Sequence, residues 1–66
     1  MREREMMFVY RGLRYTLKAR GPEAALDFAL KAIETLIRDC DSPVVVGMVD
    51  VHDCFVRVEC QPDTEA

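Results

Sequence analysis

The chain has 66 residues, with no tryptophan, one histidine, three glycines, three prolines and three cysteines. Each shortage excludes something. Cys40, Cys54 and Cys60 are odd in number, so no complete disulfide framework closes within one chain. They include no Cys-x-x-Cys, and Cys54 and Cys60 lie about 20 Å apart along an extended strand, too far to share one metal ion. They read instead as small core residues. Gly12, Gly21 and Gly47 are scattered, so there is no glycine-rich phosphate loop. The lone His52, beside Asp50 and Asp53, falls in a loop-like stretch and is expected to be solvated rather than half of an acid–base pair. Neither Cys54 nor Ser42 has an activating context. No catalytic residue, metal site or cofactor is therefore assigned, and the expectation is a protein that is not an enzyme. No apolar run approaches the ~20 residues of a membrane span. Met1-Arg2-Glu3-Arg4-Glu5 leads into a strand pattern without an apolar leader core, so a cytoplasmic, reduced protein is expected.

What is present is globular in composition, 50% hydrophobic and 32% charged. A single domain of this length is near the limit of independent stability, and small domains often gain stability by association, so a homodimer is expected. The formal charge of −3 hides an asymmetry. Residues 1–20 hold six cations against two carboxylates, a net of +4, and residues 21–66 hold three cations against ten, a net of −7. Net acidity argues against broad nucleic-acid affinity. The preferred reading is two faces that attract one another within the fold or between subunits.

Met6-Met7-Phe8-Val9-Tyr10 is rich in strand formers, and Leu13, Tyr15, Leu17 and Ala19 then alternate with Arg14, Thr16, Lys18 and Arg20. Period two marks a strand with one buried and one wet face. If Arg11-Gly12 is a two-residue turn, Tyr10 pairs with Leu13, and Met6, Phe8 and Tyr10 share a face with Leu13, Tyr15 and Leu17. If Gly12 is only a bulge, one strand of about 14 residues results. The hairpin is preferred. From Gly21 to Asp41 the pattern is helical, with Pro22 at the first helical position and Glu23 near the positive dipole end. Asp27–Lys31 and Glu34–Arg38 are favourable i,i+4 pairs. The apolar set from Ala25 to Cys40 includes Phe28, Ala32 and Leu36, and a face so wide calls for more than one neighbour.

Val44 to Val49 is a strand apolar on both sides, Asp50-Val51-His52-Asp53 reads as a four-residue loop, and Cys54 to Cys60 alternates. Pairing Val49 with Cys54 turns Val45, Gly47, Val49, Cys54, Val56, Val58 and Cys60 toward the helix. Val44, Val46, Met48 and Phe55 then lie on the other face, where polar residues are usual, and they are assigned to self-association. Asp39, Asp41, Asp50, Asp53 and Glu59, near the helix end and the last hairpin, are assigned to partner binding through an acidic surface. The fold expected is α+β: one amphipathic helix on an antiparallel sheet of three or four strands, ββαββ, or βαββ with a bulge at Gly12. Residues 1–5 and 61–66 are expected as frayed tails.

The order of elements from Met6 to Cys60, together with the acidity and the absence of a site motif, resembles many small phage-encoded host-takeover proteins, among them anti-CRISPR inhibitors. That resemblance implies stoichiometric binding to a host machine, often one that handles nucleic acid. The class shares no motif, so no residue roles come with it. The order is also similar to that of dodecins, small flavin-binding oligomers, although this chain has no tryptophan to stack on a flavin. The function expected is a non-catalytic protein-binding module, an inhibitor of a nucleic-acid-handling host complex, with a small ligand-binding homo-oligomer as the alternative.

Overall fold

The period-two stretch on either side of Arg11-Gly12 is a hairpin, not one bulged strand. In the computed structural model, which describes residues 1–41 and 47–63, strand β1 (Arg2–Tyr10) pairs antiparallel with β2 (Leu13–Gly21), and Tyr10 faces Leu13 across the turn. Arg11 and Gly12 have φ of 54° and 76°, the left-handed backbone that a type I′ turn needs at both central positions. Helix α1 (Glu23–Asp39) follows, and β3 (Met48–Val51) and β4 (Cys54–Pro62) complete the chain. The sheet is antiparallel in the order β1-β2-β4-β3, so the chain leaves β2 through the helix, passes to the far edge and returns to fill the centre.

Three expectations need correcting. The connection between the last two strands is not a four-residue loop: Asp50 and Val51 are strand, and only His52 and Asp53 turn, at φ 51° and 63°. Val51, not Val49, therefore faces Cys54, and Val49 faces Val56. The shift is two residues, which preserves parity, so each described side chain of the two strands keeps its expected face. Arg2 to Glu5 and Gln61-Pro62 are strand residues rather than tails, because β2 is long enough to pair with both neighbours out to those positions. Pro22 is the cap rather than the first helical residue. Its φ and ψ are −61° and 134°, and its carbonyl accepts the Ala25 N–H at 2.9 Å.

The helix packs on β1, β2 and β4 through Leu26, Ala29, Leu30, Ile33 and Ile37. Beneath them lie Tyr15, Leu17 and Ala19 of β2 and Cys54, Val56 and Val58 of β4, all buried. No polar or charged residue is buried among the described residues. Each large core side chain contributes roughly 1.5–3 kcal/mol by burial.

Charge closes the sandwich along the β1 side. Arg4 reaches Asp27 at 2.6 Å, and Arg2 reaches Glu23 at 3.8 Å. Asp27 thus pairs with the sheet rather than with Lys31, which lies 3.8 Å from Glu34 instead. The expected Glu34–Arg38 pair forms at 3.0 Å. Arg14 reaches Asp63 at 2.9 Å, tying the end of β4 to β2. The basic segment and the acidic remainder attract across the fold, as the charge asymmetry suggested.

Gly21 lies at a close approach of β2 to the start of β4. A Cβ there would lie 3.0 Å from the Cys54 Cα and 3.1 Å from the Asp53 carbonyl oxygen, both backbone atoms that cannot swing aside. Gly21→Ala should cost roughly 1–3 kcal/mol in urea unfolding, as overpacking does; an unchanged midpoint would show that β2 and β4 are further apart. Asp53→Gly should act oppositely and raise stability by about 0.5–1 kcal/mol, because glycine accepts φ 63° without a Cβ penalty. A lowered midpoint in the same titration would contradict the left-handed turn.

Candidate protein-interaction surface: the open face of the sheet

Successive side chains of a strand point to opposite faces, so the register that buries one face also defines the other. Away from the helix, Glu3, Arg20, Phe55 and Asp50 form one row across the four strands, and Glu5, Lys18, Arg57 and Met48 form the next. Met7, Thr16 and Glu59 make a third row, and Val9, Arg14 and Gln61 a fourth. Cations thus hold the two central strands, and carboxylates sit mainly at the edges. Arg14, Lys18, Arg20 and Arg57 balance Glu3, Glu5, Asp50 and Glu59, so the face is neutral as a whole.

Four large apolar side chains stand among these charges. Met7 is 61% exposed, Val9 51%, Met48 67% and Phe55 51%. Met48 and Phe55 are diagonal neighbours on adjacent strands, within reach of one another. They line a shallow concavity of about 260 Å³ with Glu3, Lys18, Arg20 and Arg57. Arg20 approaches Glu3 at 3.7 Å and Arg57 approaches Glu59 at 3.4 Å, exposed pairs of the kind worth ~0–1 kcal/mol and easily exchanged for a partner's groups. Lys18 makes no ion pair among the described residues.

The residues assigned from sequence divide between places. Met48 and Phe55 of the self-association set share the open face, while Val44 and Val46 lie outside the described residues. Of the acidic set, Asp50 and Glu59 are on the open face and Asp53 is in the turn beside Gly21. Asp39 and Asp41 are at the other end of the molecule, where Arg11 Nη1 donates to the Asp41 carbonyl oxygen at 2.9 Å. The helix between Gly21 and Asp41 spans about 25 Å at 1.5 Å per residue. The five carboxylates therefore do not form one acidic patch. Met7 and Val9 were missed, although the signal was present: an uninterrupted apolar run on a strand must load both faces.

Elsewhere, Phe28 and Leu36 are 67% and 53% exposed on the helix flank, and the His52 ring lies 6.4 Å from Phe28. Arg38 has a structural role. Its guanidinium sits 4.9 Å from the Phe8 ring centroid and 5.3 Å from that of Tyr10, and the Tyr10 hydroxyl donates to the Arg38 carbonyl oxygen at 2.9 Å. Phe8 in turn stacks on Tyr15 at 5.3 Å between centroids. Both tyrosines belong to the helix side of the sheet. Among the described residues no three His, Cys, Asp or Glu side chains are grouped to hold a metal ion. No helix there is long and apolar enough to cross a membrane.

Comparison with protein-family models, with curated proteins and with solved structures found no match to this chain. The open face differs from the buried one in a measurable way: Phe55→Thr should change stability by less than about 1 kcal/mol, whereas Val56→Thr, one residue along and fully buried, should cost roughly 1–3 kcal/mol. Equal losses in urea unfolding would mean that Phe55 is already covered.

Proposed function

We propose that this protein is a non-catalytic binding module that engages a protein partner through the open face of its sheet, with Phe55 and Met48 as anchors and Lys18, Arg20 and Arg57 as the charged surround. The observation that carries this reading is the exposure of Met7, Val9, Met48 and Phe55 on a single antiparallel face. An open face of this kind normally alternates to polar. Aromatic and methionine side chains with arginine beside them are the composition of interface cores. The partner suited to this centre presents apolar side chains flanked by carboxylates, since the free charge at its middle is cationic. The non-catalytic part is supported by the placement of the charged side chains at the accessible surface, outside the water-excluded setting in which preorganised charge is strongest.

The resemblance to small phage-encoded inhibitors extends this to a stoichiometric blocker of a host complex that handles nucleic acid. A basic sheet centre does not suit nucleic acid itself, because the face as a whole is neutral and the chain is acidic. The alternative of a small ligand-binding oligomer finds less support. The concavity is shallow and open, and the described chain is only 16 Å across its shortest axis, whereas small-molecule sites enclose most of their ligand.

Affinity capture from a cell lysate, with bound proteins identified by mass spectrometry, tests the reading. A stoichiometric partner should be retained by the parent chain and weakened at least about tenfold by Phe55→Ser or by Lys18→Glu with Arg57→Glu, with the circular dichroism unchanged. Equal retention by both variants would remove the open face from the binding site.

A further inference from the structure

The two edges of the sheet are not alike. Among the described residues β3 offers four at one edge, whereas β1 offers nine at the other, unbroken by a bulge or a proline. Exposed edges are normally blunted by shortness, bulges, proline or charge. In β1 only the first half is charged, and Met6 to Tyr10 is a continuous apolar run of strand formers. We infer that the free edge of β1 is a self-association site, pairing antiparallel with β1 of a second copy of this chain. The inference is independent of the partner assigned to the open face.

Backbone geometry determines which groups take part. In a two-residue hairpin the residues flanking the turn, Tyr10 and Leu13, form a hydrogen-bonded pair, and such pairs recur at every second residue. Arg2, Arg4, Met6, Phe8 and Tyr10 therefore spend their backbone groups on β2. The N–H and C=O groups of Glu3, Glu5, Met7 and Val9 point outward and are free to pair with another strand.

Charge and the number of residues paired together select the occupant and the register. When β1 meets a second β1 about a two-fold axis at Met6, all nine residues pair. Glu3 then faces Val9 and Glu5 faces Met7, with their outward groups in hydrogen-bonding positions. On the helix side Arg4 faces Phe8 and Arg2 faces Tyr10, so no cation stands opposite a cation there. The charged half of each strand lies against the apolar half of the other, and no like charges stand opposite. A shift of the axis to Glu5 would set two carboxylates face to face. The sequence is self-complementary only when reversed on itself, which is the requirement of an isologous contact.

The helices allow this approach. The strands β2, β1 and their counterparts place the two β2 strands three spacings apart, about 14 Å. Helices centred above β2 then clear one another, since helices in contact pack at about 8–10 Å. The flank of α1 that looks toward β1 carries Glu23 and Asp27 near its start and Arg38 near its end. The antiparallel arrangement sets each acidic end against the other copy's Arg38.

The test combines sedimentation velocity with amide hydrogen exchange on the full chain. The parent protein should sediment as a dimer in the micromolar range, with the amides of Glu3, Glu5, Met7 and Val9 exchanging slowly. Met7→Pro removes an outward N–H that β2 does not use and should raise the dimer dissociation constant at least about tenfold. Phe55→Lys, on the open face, should leave the dimer intact. Amide exchange in the parent chain decides the matter even if Met7→Pro does not fold: rapid exchange at those four positions overturns the proposal. So does a monomer throughout the concentration range, or a dimer lost in Phe55→Lys and kept in folded Met7→Pro.

Discussion

One helix has to serve a sheet with two faces and two edges, and most of the structure follows from that shortage. A helix is about 10 Å wide with its side chains, whereas four strands at about 4.8 Å spacing span roughly 14 Å between the outer ones. The helix therefore centres on β2 and reaches β1 and β4. Tyr15, Leu17, Ala19, Val56 and Cys54 beneath it are buried almost completely. Val49, on the same side of the sheet but at its far edge, remains 38% exposed. The opposite face has no covering layer among the described residues, so any large apolar residue placed there stays in water unless a second molecule covers it.

Electrostatics adds to what the core fixes. The close-packed apolar contacts between α1 and the sheet set the place of the helix over β2. Arg2 and Arg4 engage Glu23 and Asp27 near its start, and Arg38 lies over Phe8 and Tyr10 near its end. The ion pairs are exposed and individually weak. The ion pairs act at the helix start and the Arg38 stack at its end, both on the same edge strand. That strand has its helix-side side chains committed while its outward backbone groups remain unused.

Much of this was legible in the residues. The alternation through Leu13, Tyr15 and Leu17 and the spacing of Leu26, Ala29, Leu30, Ile33 and Ile37 specify the faces, because period 2 and period 3.6 leave little choice of what to bury. The turn at Arg11-Gly12 was readable from face consistency, although arginine is an unusual residue at a positive φ. The turn at His52-Asp53 was not, because neither residue is glycine or asparagine and the signal for left-handed backbone is weak there. Asp27 misled for a different reason. Local spacing pointed to Lys31, but a strand 23 residues earlier delivered Arg4 at 2.6 Å. Convergence of the five carboxylates was beyond the sequence altogether, because it depends on which strand the returning chain joins. β4 inserts beside β2, so the turn at Asp53 lands by the helix start, a helix length from Asp39 and Asp41.

Edge pairing and face binding are compatible because they use perpendicular directions of the same sheet. Joining two copies through β1 extends the sheet in its plane and leaves both open faces on one side, so the dimer presents Phe55 and Met48 twice. Strand spacing and rise place the two Phe55 side chains roughly 30 Å apart, five strands across and six residues along. A partner with a single site gains nothing from this arrangement. One that repeats its own site at that separation binds with the effective concentration of a tethered second contact, often in the millimolar range. A weak, wet face of moderate area then suffices for tight binding. The same pairing would cover the longest edge among the described residues, so association at β1 and avidity at the open face would follow from a single feature of the fold: one helix leaves both that face and that edge uncovered there.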